Sequence, residues 1–163
     1  MKNLLTKIGK NSKKAFSLQI DTKKKDKVLK DYYLLIKKNK NLIIKENKKD
    51  IQNAYKKKIK RNLVDRLILN EKKILDITNS IKKIIKLKDP TNVILEKWKR
   101  PNGLRISKVS IPLGVIGVIY ESRPNVTSDV ASLCFKSGNS VILKGGSEAF
   151  YTNYLLSKLF RKS

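Results

Sequence analysis

A chain of 163 residues with 39 basic and 13 acidic side chains, a net charge of +26 and a pI near 10.2, is long enough for one cored domain and basic enough to raise the question of a phosphate-bearing partner. Its 40% hydrophobic and 32% charged residues fall short of the compositions that force disorder. A single cysteine and no histidine exclude an internal disulfide, Cys/His zinc sites and every catalytic pair that needs an imidazole.

Up to Asp89 the apolar residues recur at helical spacing. Leu4, Leu5, Ile8, Ala15 and Phe16 mark a first helix, and Asp21-Thr22 offers a cap to the next, where Val28, Leu29, Tyr32, Tyr33, Leu35 and Ile36 form one apolar stripe between lysines. Leu42, Ile43 and Ile44 continue the pattern, and "NKKDIQNAYKKKI" supplies a further short helix. Asn70 caps "EKKILDITNSIKKIIKLK", whose core side is Ile74, Leu75, Ile81, Ile84 and Ile85. Asp89-Pro90 ends it, because proline disfavours a helical residue before it.

After Asp89 the period changes. "NVILEKWKR" and "LRISKVSIP" read as extended segments around the turn Pro101 to Gly103, where Asn-Gly supplies the positive backbone angles of a tight hairpin. Val115 to Tyr120 is a β-branched run of the kind found in parallel strands buried on both faces, and Ser140 to Leu143 is a second. Between them "VTSDVASLCFKSG" fits a helix with Thr127 or Ser128 near its start, Val130, Leu133 and Cys134 on its buried side, and Gly138 at its end. Strand, helix, strand at this length predicts a right-handed βαβ unit in an α/β fold.

Ligands of open α/β sheets bind beyond the carboxyl ends of the strands, and two polar loops, "ESRPNVT" and "KGGSEA", leave those ends here. Lys144 places a cation, Gly145 and Gly146 leave room for a ligand, and Ser147 and Glu148 stand where they cap the next helix, with a carboxylate that suits ribose hydroxyls. Asn125 carries an amide suited to a developing oxyanion, and Arg123 a guanidinium suited to phosphate or carboxylate. The same residues also fit a purely structural reading: a tight Gly-Gly turn, a helix-dipole partner and an Asx turn.

The lysines travel with Asn and Ile in "KIGKNSKK" and "IKKNKNLIIKENKKD", amino acids that share A/T-rich codons, while arginine is scarce. The charge is therefore read as solvated lysine faces rather than as a nucleic-acid surface. No stretch has membrane-spanning length and the start lacks the apolar run of a secretory signal, so the expected setting is cytoplasmic, without a membrane partner.

"PLGVIGVIYESRPNVTSDVASLCFKSGNSVILKGGSEA" resembles the signature region of the gamma-glutamyl phosphate reductases, a branch of the aldehyde dehydrogenase superfamily, and the likeness continues upstream through "NGLRISKVSIPLGV", "LKDP" and "NLVDRLIL". The resemblance implies NADPH-dependent reduction of L-glutamyl 5-phosphate to glutamate 5-semialdehyde and phosphate, in proline biosynthesis, through a cysteine thioester. It implies that Asn125 stabilises the oxyanion and that Lys144 through Glu148 (Gly145, Gly146 and Ser147 between them) meet the cofactor; Ser122 and Arg123 are read, apart from the resemblance, as lying at the substrate. "KGGSE" puts Glu148 one residue later than the superfamily's lysine-to-glutamate spacing.

By the same resemblance the fold is N-terminal helices (1–90), a hairpin of the oligomerisation region (91–111) and the first βαβ of a Rossmann-like, NADP-binding sheet (112–163), a partial aldehyde dehydrogenase fold. The family's nucleophilic cysteine lies in a catalytic domain that has no counterpart here, and Cys134 reads as a core residue. The chain therefore reads as the N-terminal part of a reductase that forms a homo-oligomer when whole, and as inactive and poorly soluble alone. A truncated product that partners a full-length homologue, and a lysine-rich nucleic-acid-binding protein, are the rival readings.

Overall fold

The computed structural model describes residues 2–163. Five helices come first: α1 (Lys2–Phe16), α2 (Thr22–Lys38), α3 (Lys40–Lys56), α4 (Arg61–Leu67) and α5 (Glu71–Lys86). A hairpin of β1 (Ile94–Lys99) and β2 (Arg105–Val109) follows. Then come β3 (Val115–Tyr120), α6 (Pro124–Lys136), β4 (Ser140–Gly145), a 3-10 turn (Ser147–Ala149) and α7 (Phe150–Lys162). The fold is mixed α/β, with β1 and β2 antiparallel and β3 and β4 parallel in separate sheets, as the periodicity change at Asp89 predicts.

The core is helical and joins both ends of the sequence. Tyr32 and Ile36 of α2, Ile43 of α3, Ile74, Ile77 and Ile81 of α5 and Leu156 and Leu159 of α7 form one buried cluster. Tyr32 sits at its centre, edge-on to Phe160 at 4.8 Å, with its hydroxyl 2.7 Å from Ser128 Oγ on α6. Burial of the ring, which disfavours the phenolate, pushes its pKa up and keeps it a neutral hydrogen-bonding group.

Beside this cluster lies a buried polar seam. The Asn47 side chain of α3 donates to Leu67 O at 2.9 Å and to Thr152 Oγ1 at 3.2 Å, and accepts from Leu69 N at 2.7 Å. Three residues on, Asp50 accepts from Tyr151 N (3.0 Å), Thr152 N (2.8 Å) and Thr152 Oγ1 (2.6 Å). A carboxylate of α3 thus caps the orphan N–H groups of α7 from across the core. The hairpin is anchored by a second seam: Lys25 Nζ meets Asp89 Oδ2 at 2.9 Å, and Asp89 also accepts from Thr22 and Thr91. Burial pushes the Asp89 carboxyl up, but these bonds outweigh it and hold it well below the usual carboxylate range.

Several local expectations are corrected. The pieces read as separate around Leu42 and "NKKDIQNAYKKKI" are one continuous helix, α3, and α4 was not foreseen. α6 begins at Pro124 rather than near Thr127, since proline suits the first helical position. Leu133 and Leu75, expected inside, are 48% and 57% exposed, while Ile77 takes the core place on α5. β3 is not buried on both faces: its side chains alternate, with Ile119 79% exposed. In the turn after β1 only Gly103, at φ +88°, has a positive angle, so Asn102 does not form the two-residue turn expected.

Asp50→Ala should lower the unfolding free energy by about 2 kcal/mol in urea titrations followed by circular dichroism, the loss expected when a buried cap is removed. An unchanged midpoint would show that α7 is not held by this carboxylate.

Candidate functional site

β3 and β4 pair in parallel register from Val115↔Ser140 to Tyr120↔Gly145, so both strands end level and their loops leave side by side. The loops are tied at two depths. Underneath, Thr127 Oγ1 of α6 donates to Asn153 Oδ1 of α7 at 2.8 Å, which leaves Tyr120 O–H to donate to Thr127 at 2.6 Å. Above, Glu148 Oε1 accepts from Ser122 N at 2.6 Å and Ser122 Oγ at 3.0 Å.

Two glycines make this possible. A Cβ on Gly145 would collide with the Asn153 amide and press on the Tyr120 ring. One on Gly146 would collide with the Glu148 carboxylate. The room that glycine leaves is filled by the protein's own side chains rather than held open for a ligand.

Ser122, expected at the substrate, is 2% exposed and sits at φ +26°, a region that residues with a side chain rarely adopt, with its hydroxyl and amide on Glu148. Glu148, expected to cap the next helix, binds the neighbouring loop instead, and Asp50 does the capping. Burial pushes the Glu148 carboxyl up, but the Ser122 bonds, its own amide and the Lys57 charge outweigh this and hold it below its ordinary 4.5. Asn125 lies in the first turn of α6 and donates one amide N–H to Asp129 Oδ2 at 3.2 Å; an amide carries two. Burial pushes the Asp129 carboxyl up, more than the Asn125 bond lowers it.

Arg123 and Lys144 are exposed, and neither side chain forms an ion pair or hydrogen bond among the described residues. Ser147 opens the 3-10 turn and is exposed. Cys134 is 7% exposed on α6, and burial pushes its thiol up, away from the thiolate that a nucleophile needs. Open depressions lie elsewhere, on α5 around Asn79 and Lys83 and on α1 around Lys7 and Lys10. The end of the parallel strand pair is thus a polar shelf with two open cations and a held carboxylate.

The sequence reading did not find Tyr120, Asn153, Asp129 or Lys57 at this end of the sheet. Asp129 had a signal, its i, i+4 spacing from Asn125; the others meet only through tertiary packing.

No family model matches the chain. Over 165 residues it is 42% identical to the gamma-glutamyl phosphate reductase of Thermodesulfovibrio yellowstonii, covering 100% of this chain and 40% of that protein. The enzyme of the same name from Nautilia profundicola is 47% identical over 161 residues, 99% of this chain and 39% of that one. The chain is homologous to one part of the gamma-glutamyl phosphate reductases. It spans about two fifths of the length of these relatives. The crystal structure of the Thermotoga maritima reductase superposes with a TM-score of 0.93 at 36% identity, over 97% of this chain and 39% of that one. A Bacillus subtilis protein described as an aldehyde dehydrogenase matches at 0.65 and 16% identity, covering 91% of this chain and 31% of its own, a likeness of fold. Among the described residues no helix is long and apolar enough to cross a membrane.

A carboxyl whose folded pKa is lowered stabilises the folded state above its unfolded pKa, and that contribution is lost as pH falls through the folded value. The Ser122 amide should therefore stay protected from hydrogen exchange at neutral pH and lose protection only below about pH 4.5. Gly146→Ala should expose the same amide at every pH, because the added methyl occupies the carboxylate's place. A protected Ser122 amide in Gly146→Ala would count against the clasp.

Proposed function

We propose that the chain supplies the cofactor-loop part of an NADPH-dependent reductase that converts L-glutamyl 5-phosphate into L-glutamate 5-semialdehyde and phosphate, a step of proline biosynthesis. One observation carries the reading: two polar loops clasped at the carboxyl ends of adjacent parallel strands, with the cations of Arg123 and Lys144 left open, in a chain homologous to reductases of that name.

When bound, the nicotinamide supplies a hydride. Lys144 suits the ribose and the 2′-phosphate of NADPH, with Gly145, Gly146 and Ser147 shaping the loop and Glu148 beside them. Arg123 suits the phosphoryl group of the substrate, and the second amide N–H of Asn125 suits the oxyanion formed when the acyl carbon is attacked. In the reaction a thiolate displaces phosphate from the acyl phosphate, and the thioester takes a hydride and expels the thiolate as the aldehyde forms. Cys134 is buried on a packed helix, so that thiolate comes from a cysteine outside the 163 residues.

The hairpin supports the oligomer that the resemblance implies. Trp98 pairs with Ile106 across β1 and β2, Ile94 pairs with Val109, and Trp98, Ile94 and Val109 are exposed. A two-stranded hairpin is marginal in water, and exposed apolar side chains on it favour a second copy of the sheet.

Calorimetric titration with NADPH tests the cofactor reading. Saturable binding should appear, weaker by about tenfold in Lys144→Ala, the loss of one charge-assisted contact. No binding by the wild type, or equal binding by Lys144→Ala, contradicts it. With glutamyl phosphate present the chain alone should oxidise no NADPH above background, and Cys134→Ser should match it; turnover abolished by Cys134→Ser would contradict the assignment of the nucleophile elsewhere.

A further inference from the structure

Ser122 is a serine with nothing to offer a ligand directly. It is 2% exposed, both of its donors converge on one oxygen of Glu148, and its backbone stands at φ +26°. A residue keeps such an angle only where its surroundings over-determine it. The surroundings here are the Glu148 carboxylate, which folds back over Gly146 in space that no other residue type would leave. The clasp therefore fixes two things at once: the path of the first loop, and the position of a carboxylate in the second.

Only Oε1 takes part in the clasp. A carboxylate has about four acceptor directions, and Oε2 lies outside these two bonds. The hydroxyls of a ribose are donors, and Lys144, four residues before Glu148 at the end of β4, is exposed and forms no ion pair or hydrogen bond among the described residues. A carboxylate held ionised and in one rotamer accepts from a ligand hydroxyl without first being ordered, which a free glutamate at a loop tip cannot do.

We propose that Ser122 is a positioning residue for cofactor binding: by holding Oε1 of Glu148 it presents Oε2 to the ribose hydroxyls of a nicotinamide nucleotide, and it links that nucleotide to the loop carrying Arg123 and Asn125. This rests on the cofactor reading given above. Ser122 belongs by position to the substrate loop but acts on the cofactor, so occupancy of the second loop stiffens the first.

The test is a double-mutant cycle in the 163-residue chain, with NADPH as the probe in calorimetric titrations from pH 8 to pH 4. Ser122→Ala should weaken binding by about fivefold and Glu148→Ala by about tenfold, and the double variant should equal Glu148→Ala, because Ser122 works only through that carboxylate. The pH profile adds a reading that a merely structural role would not move. Wild-type affinity should fall on the acid side as Glu148 takes up a proton. That fall should begin at higher pH in Ser122→Ala, where the hydroxyl bond to the ionised form is gone and only the backbone amide remains, and should be absent in Glu148→Ala. Circular dichroism checks the fold of each variant, with Glu148→Gln replacing any that loses helix. Additive losses, or an acid limb unmoved by Ser122→Ala, overturn the inference while leaving the cofactor reading standing. No NADPH binding by the wild type overturns the cofactor reading itself, and this inference with it.

Discussion

The bond on which the rest of the structure depends is that between Asp50 of α3 and the first amides of α7. The loop after β4 is short, so whatever fixes the start of α7 fixes the loop. Asp50 does so from a helix far away in sequence, and Ala149, buried against Ala54, Val64 and Leu67, closes the same joint. Asn47, one turn earlier, ties the first turn of α7 to the end of α4 and the segment after it through Thr152, Leu67 and Leu69. A buried polar seam of this kind is stabilising only while its members are satisfied, and here Asn47, Asp50 and Thr152 satisfy one another and the backbone groups beside them. The lysine-rich helices are therefore the scaffold that aims the strand-end loops.

With α7 fixed, Asn153 reaches Thr127, Thr127 receives Tyr120, and the ends of β3 and β4 are locked together. Glu148 then lies over Gly146 within reach of Ser122. Each glycine of the pair serves packing inside the protein. Among the described residues the Glu148 carboxylate forms no ion pair; the Ser122 bonds hold it, and the charge of Lys57, just past α3, adds to them. Lys144 is exposed and forms no ion pair or hydrogen bond among the described residues.

The sequence made the elements legible wherever a period or a cap carried the signal. Asp21 and Asn70 accept the amides of Lys24 and Lys73 at 2.9 Å, as caps should, and the stripe Leu29, Tyr32, Ile36 is buried to the last atom. The order of strand, helix and strand was readable from β-branched runs and a glycine at the helix end. What escaped was set by distant partners. Lys25 reads as one more solvated lysine among its neighbours, yet is buried against Asp89 because the hairpin root packs there. Asp50 reads as a polar face residue of its helix. The alternation along β3 follows from which neighbours cover a strand, a property that the strand's own composition does not carry. At the site, residue types announced a ligand-binding end, but the Ser122–Glu148 clasp depends on two loops meeting, and no spacing within either loop encodes it.

The central claim is that the end of the paired parallel strands is a preformed nucleotide shelf whose carboxylate is already in place. A crystal structure of the chain grown with NADPH tests it most directly. The account predicts a ribose between Lys144 and Glu148, with both Ser122 bonds to Glu148 Oε1 intact. A nucleotide bound elsewhere, or a Glu148 side chain swung away from Ser122 to reach it, would contradict the account.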